Sequence, residues 1–384
     1  MAYKFSIAAA WPVSNDDVYV DAVTGAVVAK ISRVFDGNIN TTVATRYSGQ
    51  QAMTTDQFNN GAGVQYRLRE ARGTSSILTY NSQRIQSTVP VDFTDADNTW
   101  AASNNANHDN AALDAHWATE LIYDYWLNVR GRNSFDGAGT PMTAFVHFNL
   151  PNGNYNGVDT YPTGIDNSFW DGNEVLLCDG QTAFLNLTSF DVVAHEFGHG
   201  FTQFAQPVAI LVNADGLHPE ARALNEGISD IWGAVIENAM TTGKQTWKIG
   251  EEVMKDGRPC LRSLMNPTSD GDPAAGYPDV YHGTFWDYNN EPHTNSTVIS
   301  HWFYLLSQGG SGINSLGNTY NVTGIGIAKA ASIVWYAEQN FLGPNSQYAD
   351  ARTAMIAAAA ALDCANTTNL VASVTNAWYA VGVG

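Results

Sequence analysis

Residues 3–35 hold two strand-like stretches, "YKFSIAAAW" and "DVYVDAVTGAVVAKISRVF", with a turn at Thr24-Gly25. Short β-rich runs separated by polar turns continue over 40–100. The pattern then changes period: "AALDAHWATELIYDYWLNV" at 111–129 places its apolar residues on one helical face. A Gly/Asn/Pro-rich tract, "LPNGNYNGVDTYPTGIDN" at 150–167, predicts a long loop. A helix starting near Ser189 or Phe190 carries "VVAHEFGHGF". Beyond Pro207 the pattern is helical at 220–240, 294–308, 324–341 and 346–362. The Gly-Ile-Gly near 324 follows no strand and is read as a helix start, not a dinucleotide loop. These elements predict an α+β protein of two lobes. Residues 1–35 form a separate pair of strands, 36–206 a β-rich lobe that includes the motif helix, and 207–384 a helical lobe.

A chain of 384 residues is long enough to bury a large core in two lobes. Its 37 Asp+Glu against 18 Lys+Arg give a formal net charge of -19, which argues against nucleic acid or an anionic membrane surface as partner. That charge serves solubility and also leaves carboxylates available for hard cations. The longest strongly apolar run, "AMIAAAAAL" at 354–362, is too short to span a bilayer. Cys178, Cys260 and Cys364 form no CxxC pair, and an odd number leaves at least one unpaired.

The chemistry lies in "HEFGH". On a helix, i and i+4 share a face, so His195 and His199 can present two imidazoles to one ion. Asp191 lies one turn earlier on that face, and Glu196 is placed to handle the proton of a metal-activated water. Asp215, Glu220 and Glu226 are the acidic candidates for a third ligand. Glu220 follows Pro219 in the first turn of the next helix, where a carboxylate commonly serves the helix dipole. Glu226, in "NEGISDIWG" well inside that helix, is the better ligand, and Asp230 four residues on can accept the second ring N–H of a ligand histidine. Two His and one Glu leave a fourth tetrahedral position open, the arrangement of a catalytic zinc suited to amide hydrolysis.

"DVVAHEFGHGFT", "NEGISDIWG", "LRSLMNP", "HTNS" with "WFYLLSQGG", and "AWYAVGVG" together resemble the thermolysin-like neutral metallopeptidases. The likeness extends upstream through "DADNTW", "DAHW" and "NSFWDGNEVLLCDGQT" and covers roughly residues 36–384, in order. It implies a secreted, monomeric, bacterial zinc endopeptidase acting on proteins or peptides. His195, His199 and Glu226 would hold one zinc, Glu196 would be the general base, and Asp230 would orient a ligand histidine. His293 matches the family histidine that hydrogen-bonds the oxyanion. Asn167 and Ser168 match edge-strand residues that bind substrate backbone, and Arg262 matches the arginine that meets the substrate carbonyl. Val192, Ile249, Val253 and Leu261 would line an apolar pocket selecting a bulky residue after the cut, with ordinary core packing as the lesser alternative. For structural calcium, one ion or two, the resemblance offers Asp191, Glu237 and Glu251, with a separate loop site at Asp95 and Asp97; an Asx-turn is the plain alternative for that last pair.

The sequence departs from the family in places. The 26 residues between His199 and Glu226 form a longer interval than the family's, which enlarges the loop around "PVAILVNADGLH". Leu217 stands where the oxyanion tyrosine is expected, with His218 as a substitute donor. Asp287 is the candidate for the aspartate that supports the oxyanion histidine. Thr246 and Lys248 replace calcium carboxylates, so Lys248 is expected beside a single ion or its ligands. The first 35 residues look like the last strands of the family's inhibitory propeptide, with a remnant of it favoured over strands that the mature enzyme retains. Two rivals remain: an aminopeptidase, for which no acidic amine anchor is found, and a weakened peptidase scaffold acting as a binding module, to which only Leu217 points.

Overall fold

The computed structural model describes residues 1–10, 13–32, 37–59, 63–100, 109–149, 165–271, 276–364 and 369–384. The chain divides into two compact units: 1–124 with 139–189, and 125–138 with 190–384.

In the first unit, β1 (Ala2–Ala10), β2 (Val13–Asp21) and β3 (Val27–Ser32) form an antiparallel sheet of their own. Two ion pairs, Lys4–Asp17 and Lys30–Asp16, each at 3.0 Å, cross it. The longer predicted stretch folds back on itself at the expected Thr24-Gly25 turn, so the two stretches supply three strands. A four-stranded sheet follows, ordered β4 (Asn38–Ala44), β5 (Gln50–Asn59), β6 (Val64–Arg67), β9 (Thr94–Asp95). Between β6 and β9 in sequence come β7 (Arg69–Arg72) and β8 (Ser75–Asn81). These two join β10 (Met142–Phe148), β11 (Ser168–Trp170) and β12 (Val175–Cys178) in a sheet of order β11-β12-β10-β8-β7. Helix α1 (Asn110–Arg130) connects β8 to β10, and β10 runs parallel to both β8 and β12. Every residue of β10 is buried, as a central parallel strand requires. The predicted loop at 150–167 falls almost wholly outside the described residues.

The second unit is helical. Helix α2 (Phe190–Gln203) buries all but two of its residues, so it belongs to a core. It packs on α3 (Glu220–Met240): a Cβ on Gly198 would sit 3.2 Å from Ser229 Cα, so the glycine inside the motif lets the two helices touch. For this reason α2 falls in the same compact unit as the helices that follow it, and the two units divide at Ser189/Phe190. The short strands β13 (Lys248–Ile249) and β14 (Arg262–Ser263) pair beside α3. Then come α4 (Pro267–Asp270), α5 (Pro292–Asn295), α6 (Thr297–Gln308), the hairpin of β15 (Gly310–Ile313) and β16 (Thr319–Val322), α7 (Ile327–Asn340), α8 (Tyr348–Leu362) and α9 (Leu370–Ala380). The hairpin and α9 were not foreseen. Gly227 admits α6, because a Cβ there would lie 2.3 Å from Ile299 Cγ2. Trp126 stacks on Phe201 at 3.9 Å, and Trp302 on Trp378 at 4.7 Å. Buried Glu338 of α7 fastens α2 and α3, accepting from Thr202 Oγ1 at 2.6 Å and Trp232 Nε1 at 3.1 Å. Cys178 and Cys260 are buried, Cys260 Sγ donating to the Asp270 carbonyl at 3.4 Å, and Cys364 is exposed.

Candidate active site

Three donor atoms converge between α2 and α3. His195 Nε2 lies 3.1 Å from His199 Nε2 and 3.4 Å from Glu226 Oε2, and His199 Nε2 lies 3.8 Å from Glu226 Oε1. Among the described residues this is the one group of three or more metal-ligand side chains whose ligand atoms lie within 4.8 Å of one another. A tetrahedral ion with donors at ~2.0–2.1 Å sets them roughly 3.3–3.4 Å apart, so the trio fits zinc. Glu226 Oε2 is buried without a hydrogen-bond partner, a cost that a cation would remove.

Each imidazole is held from behind. His195 Nδ1 lies 2.8 Å from Asp230 Oδ1, and His199 Nδ1 is 2.5 Å from Asn225 Oδ1 and 3.0 Å from Ser229 Oγ. A carboxylate or an amide oxygen only accepts, so both rings carry hydrogen at Nδ1 and turn an Nε2 lone pair towards the centre. Asp230 is itself pinned by Arg262, whose Nε and Nη2 each donate at 2.7 Å. Burial opposes charge on Asp230, but Arg262 and His195 outweigh it and bring its pKa down to about 2. Buried Glu196 is pushed the other way, to about 7, by desolvation first, with Glu226 adding to the rise and His195 resisting it. That value suits a group that both takes and returns a proton near neutral pH.

His293 stands half-exposed, with Nε2 3.5 Å from Glu226 Oε2 and Nδ1 2.8 Å from Glu291 Oε1. Asp287 instead accepts the backbone N–H groups of Asn289 and Glu291 at 3.0 and 2.9 Å. The carboxylate behind His293 is therefore Glu291, not Asp287. A local signal existed: Glu291 precedes Pro292 as the N-cap of α5, and its Oε2 accepts from Thr294 N at 2.7 Å. Glu291 reaches His293 with the carboxylate oxygen that the cap leaves over.

The rival third ligand, Glu220, is engaged elsewhere: Tyr281 Oη donates to it at 2.8 Å and Tyr348 N at 3.0 Å. Leu217 is 77% exposed, and His218 Nδ1 pairs with Asp215 Oδ1 at 2.9 Å in the enlarged loop, so neither contributes a donor to the trio. Of the apolar quartet, Val192, Ile249 and Val253 are buried, and Leu261 keeps some exposed surface. In the first unit, Ser168 begins β11, the edge strand of its sheet, directly after Asn167.

The acidic residues form two further groups. Asp191 Oδ2 accepts from Gly250 N, while both oxygens of Glu237 and Oε2 of Glu251 are buried without hydrogen-bond partners. Burial first, then Asp191 and Glu251, drives Glu237 up to about 10; burial and Asp191 drive Glu251 up to about 8. The lysine whose charge bears on Glu237 is Lys244, which also pairs with Glu252 at 2.5 Å. Lys248 bears on the Cys260 thiol, on which Asp191 and Glu251 also act. At the other site Asp95 Oδ1 accepts from Asp97 N and Asn98 N at 2.9 and 2.7 Å, the geometry of an Asx-turn.

Residues 40–203 match the family model of the thermolysin metallopeptidase catalytic domain, and 217–383 that of the thermolysin metallopeptidase alpha-helical domain. Bacillolysin of Bacillus caldolyticus is 33% identical over 100% of this chain and 67% of its own length. The thermostable neutral protease of Geobacillus stearothermophilus and thermolysin of Alicyclobacillus acidocaldarius are each 33% identical over 100% of this chain and 66% of theirs. The chain thus spans about two thirds of the length of these relatives. The solved precursor of protealysin, a metalloproteinase from Serratia proteamaculans, shares the fold with a TM-score of 0.61 at 23% identity, over 82% of this chain and 89% of that one.

Proposed function

The chain belongs to the thermolysin metallopeptidase family, and from that premise we propose that it is a zinc-dependent endopeptidase with Glu196 as general base. The observation that carries this reading is the convergence of His195, His199 and Glu226 with Glu196 on the same helix. Zinc held by those three would supply Lewis acidity towards the scissile carbonyl and towards water. Glu196 takes the proton of the attacking water and returns it to the leaving amine; its burial, which raises the carboxyl above its ordinary range, favours both transfers. His293, steadied by Glu291, donates to the oxygen that becomes negative in the transition state. Arg262 has two nitrogens committed to Asp230, leaving Nη1 to meet a substrate carbonyl.

Asn167 and Ser168 on edge strand β11 extend the sheet with substrate backbone, which explains tolerance of many sequences. Val192, Ile249, Val253 and Leu261 select a bulky apolar residue after the cut. Asp191, Glu237 and Glu251 take one stabilising calcium, and Asp95 and Asp97 are a second candidate site. Residues 1–35 are a propeptide-tail remnant. The enzyme is secreted, monomeric and bacterial in source. No described helix is long and apolar enough to cross a membrane.

A weakened scaffold that binds peptides without cutting them is the second reading, favoured by exposed Leu217 at the expected tyrosine position. Digestion of casein with and without a zinc chelator separates the two. Chelator-sensitive cleavage supports the peptidase; intact casein with zinc bound supports the scaffold.

A further inference from the structure

In the first unit, β10 breaks its pairing with β12 between Val146 and Phe148, and the residue between them, His147, has φ +61°. A non-glycine side chain in the left-handed region costs free energy and persists only where its surroundings enforce it. The bulge turns the His147 side chain, 5% exposed, into a cluster of charges. Its Nε2 pairs with Asp109 Oδ2 and its Nδ1 lies 2.5 Å from Asp179 Oδ1. Both partners are carboxylates, so both ring nitrogens must donate, and the ring is an imidazolium.

Each partner belongs to a different segment. Asp109 Oδ1 accepts from Ala111 N at 3.1 Å and Ala112 N at 3.4 Å, capping the start of α1. Asp179 follows β12, and it also accepts from Arg84 Nε at 2.8 Å and Asn186 Nδ2 at 2.6 Å. Arg84, in the turn after β8 with φ +60°, donates its backbone N–H to the His147 carbonyl at 2.9 Å. Phe93 supplies an apolar wall, its ring 6.1 Å from the imidazole. The charged groups around the ring are therefore Asp109 from α1, Arg84 from the turn after β8, and Asp179 from the loop after β12.

We propose that His147, clamped between Asp109 and Asp179, is a pH-sensitive lock joining the carboxyl ends of β8, β10 and β12 to the start of α1. Burial opposes the ring's charge, yet the two carboxylates outweigh it and hold the pKa up at about 9. The sign follows. Unfolded histidine titrates near ~6.5, so the lock's contribution is complete below that pH and is lost as pH rises through about 9. A neutral ring keeps one N–H and leaves two carboxylates facing each other across it, one without its donor.

The test uses the full zinc-loaded chain with Glu196→Gln to prevent self-digestion, 15N-labelled at histidine, with His147→Gln assigning the signal. Both ring nitrogens of His147 should be protonated at pH 7 and titrate near 9. Asp109→Asn should lower that midpoint by about one to three pH units, the effect of removing one adjacent opposite charge. Melting temperature should fall between pH 7 and 10 in the parent and fall less in the Asn variant. A His147 ring already neutral at pH 7, or a midpoint unmoved by Asp109→Asn, overturns the lock. Should that variant not fold, the parent's titration decides alone. None of these readouts depends on peptidase activity, so failure of the lock and failure of the catalytic reading are distinguishable.

Discussion

Helices α2 and α3 take part in two triads, and the pair is instructive. Near their centres, His195 and His199 face Glu226; one turn earlier on α2 and roughly three turns later on α3, Asp191 and Glu237 meet Glu251. The first triad is braced: Asp230, Asn225 and Ser229 fix both rings, and the donor atoms already approach the spacing of an ion. The second is looser, with oxygens buried and unpartnered and two carboxyls held far above their ordinary range. Histidine donors have a second nitrogen by which the fold can aim them without metal. Carboxylates brought together without a cation repel one another, and protons are their only remedy. The first group is held in one geometry by its own neighbours; the second lacks such bracing.

The strongest challenge to that contrast is Glu196→Gln. Zinc should stay bound while turnover falls by about 10²–10⁴-fold, since the role proposed for the residue is to move protons and not to hold the ion. Steady-state kinetics beside metal analysis checks this; full activity with zinc retained would sink the assignment.

Glu226→Gln should empty the braced triad of zinc, whereas Glu220→Gln should keep zinc and lower stability by about 1 kcal/mol through its contacts with Tyr281 and Tyr348. Metal content and melting temperature, measured on both variants, test the choice of ligand. Zinc lost from the Glu220 variant and kept in the other would reverse it.

For the looser triad, calcium at a hundredfold excess over its Kd should add about 2.7 kcal/mol, and Glu237→Gln should abolish the response. Without calcium, Glu237 and Glu251 hold protons more tightly folded than unfolded. Stability should then fall as pH rises from the ordinary carboxyl range through about 8 and on towards 10. Melting curves against pH in chelator and in calcium should diverge over that window. Coincident curves would mean that no calcium binds there.

Smallest is the effect at Glu291. Glu291→Ala should lower kcat by about tenfold with KM nearly unchanged, because the role proposed for His293 is confined to the transition state. Asp287→Asn should alter melting temperature alone. A kcat loss from Asp287→Asn would restore the aspartate expected from the sequence.

What the sequence determined by itself was periodic and local. The i, i+4 spacing of His195 and His199 fixes a shared helical face wherever that helix lies, and the patterns at 111–129 and 220–240 become α1 and α3 almost residue for residue. The placement of Glu226 inside a helix rather than at its start was equally legible. Tertiary structure alone decided which carboxylates meet which partners. Glu220 is drawn to Tyr281 and Tyr348, Glu291 displaces Asp287 behind His293, and Lys244 bears on Glu237 of the acidic triad. It also assigned α2 to the helical unit, through the close approach at Gly198 that no periodicity reveals. The physical reason is range. Backbone periodicity is written in neighbours a few residues apart, whereas a buried charge is satisfied by whatever chain folding brings within about 3 Å of it, often from a hundred residues away.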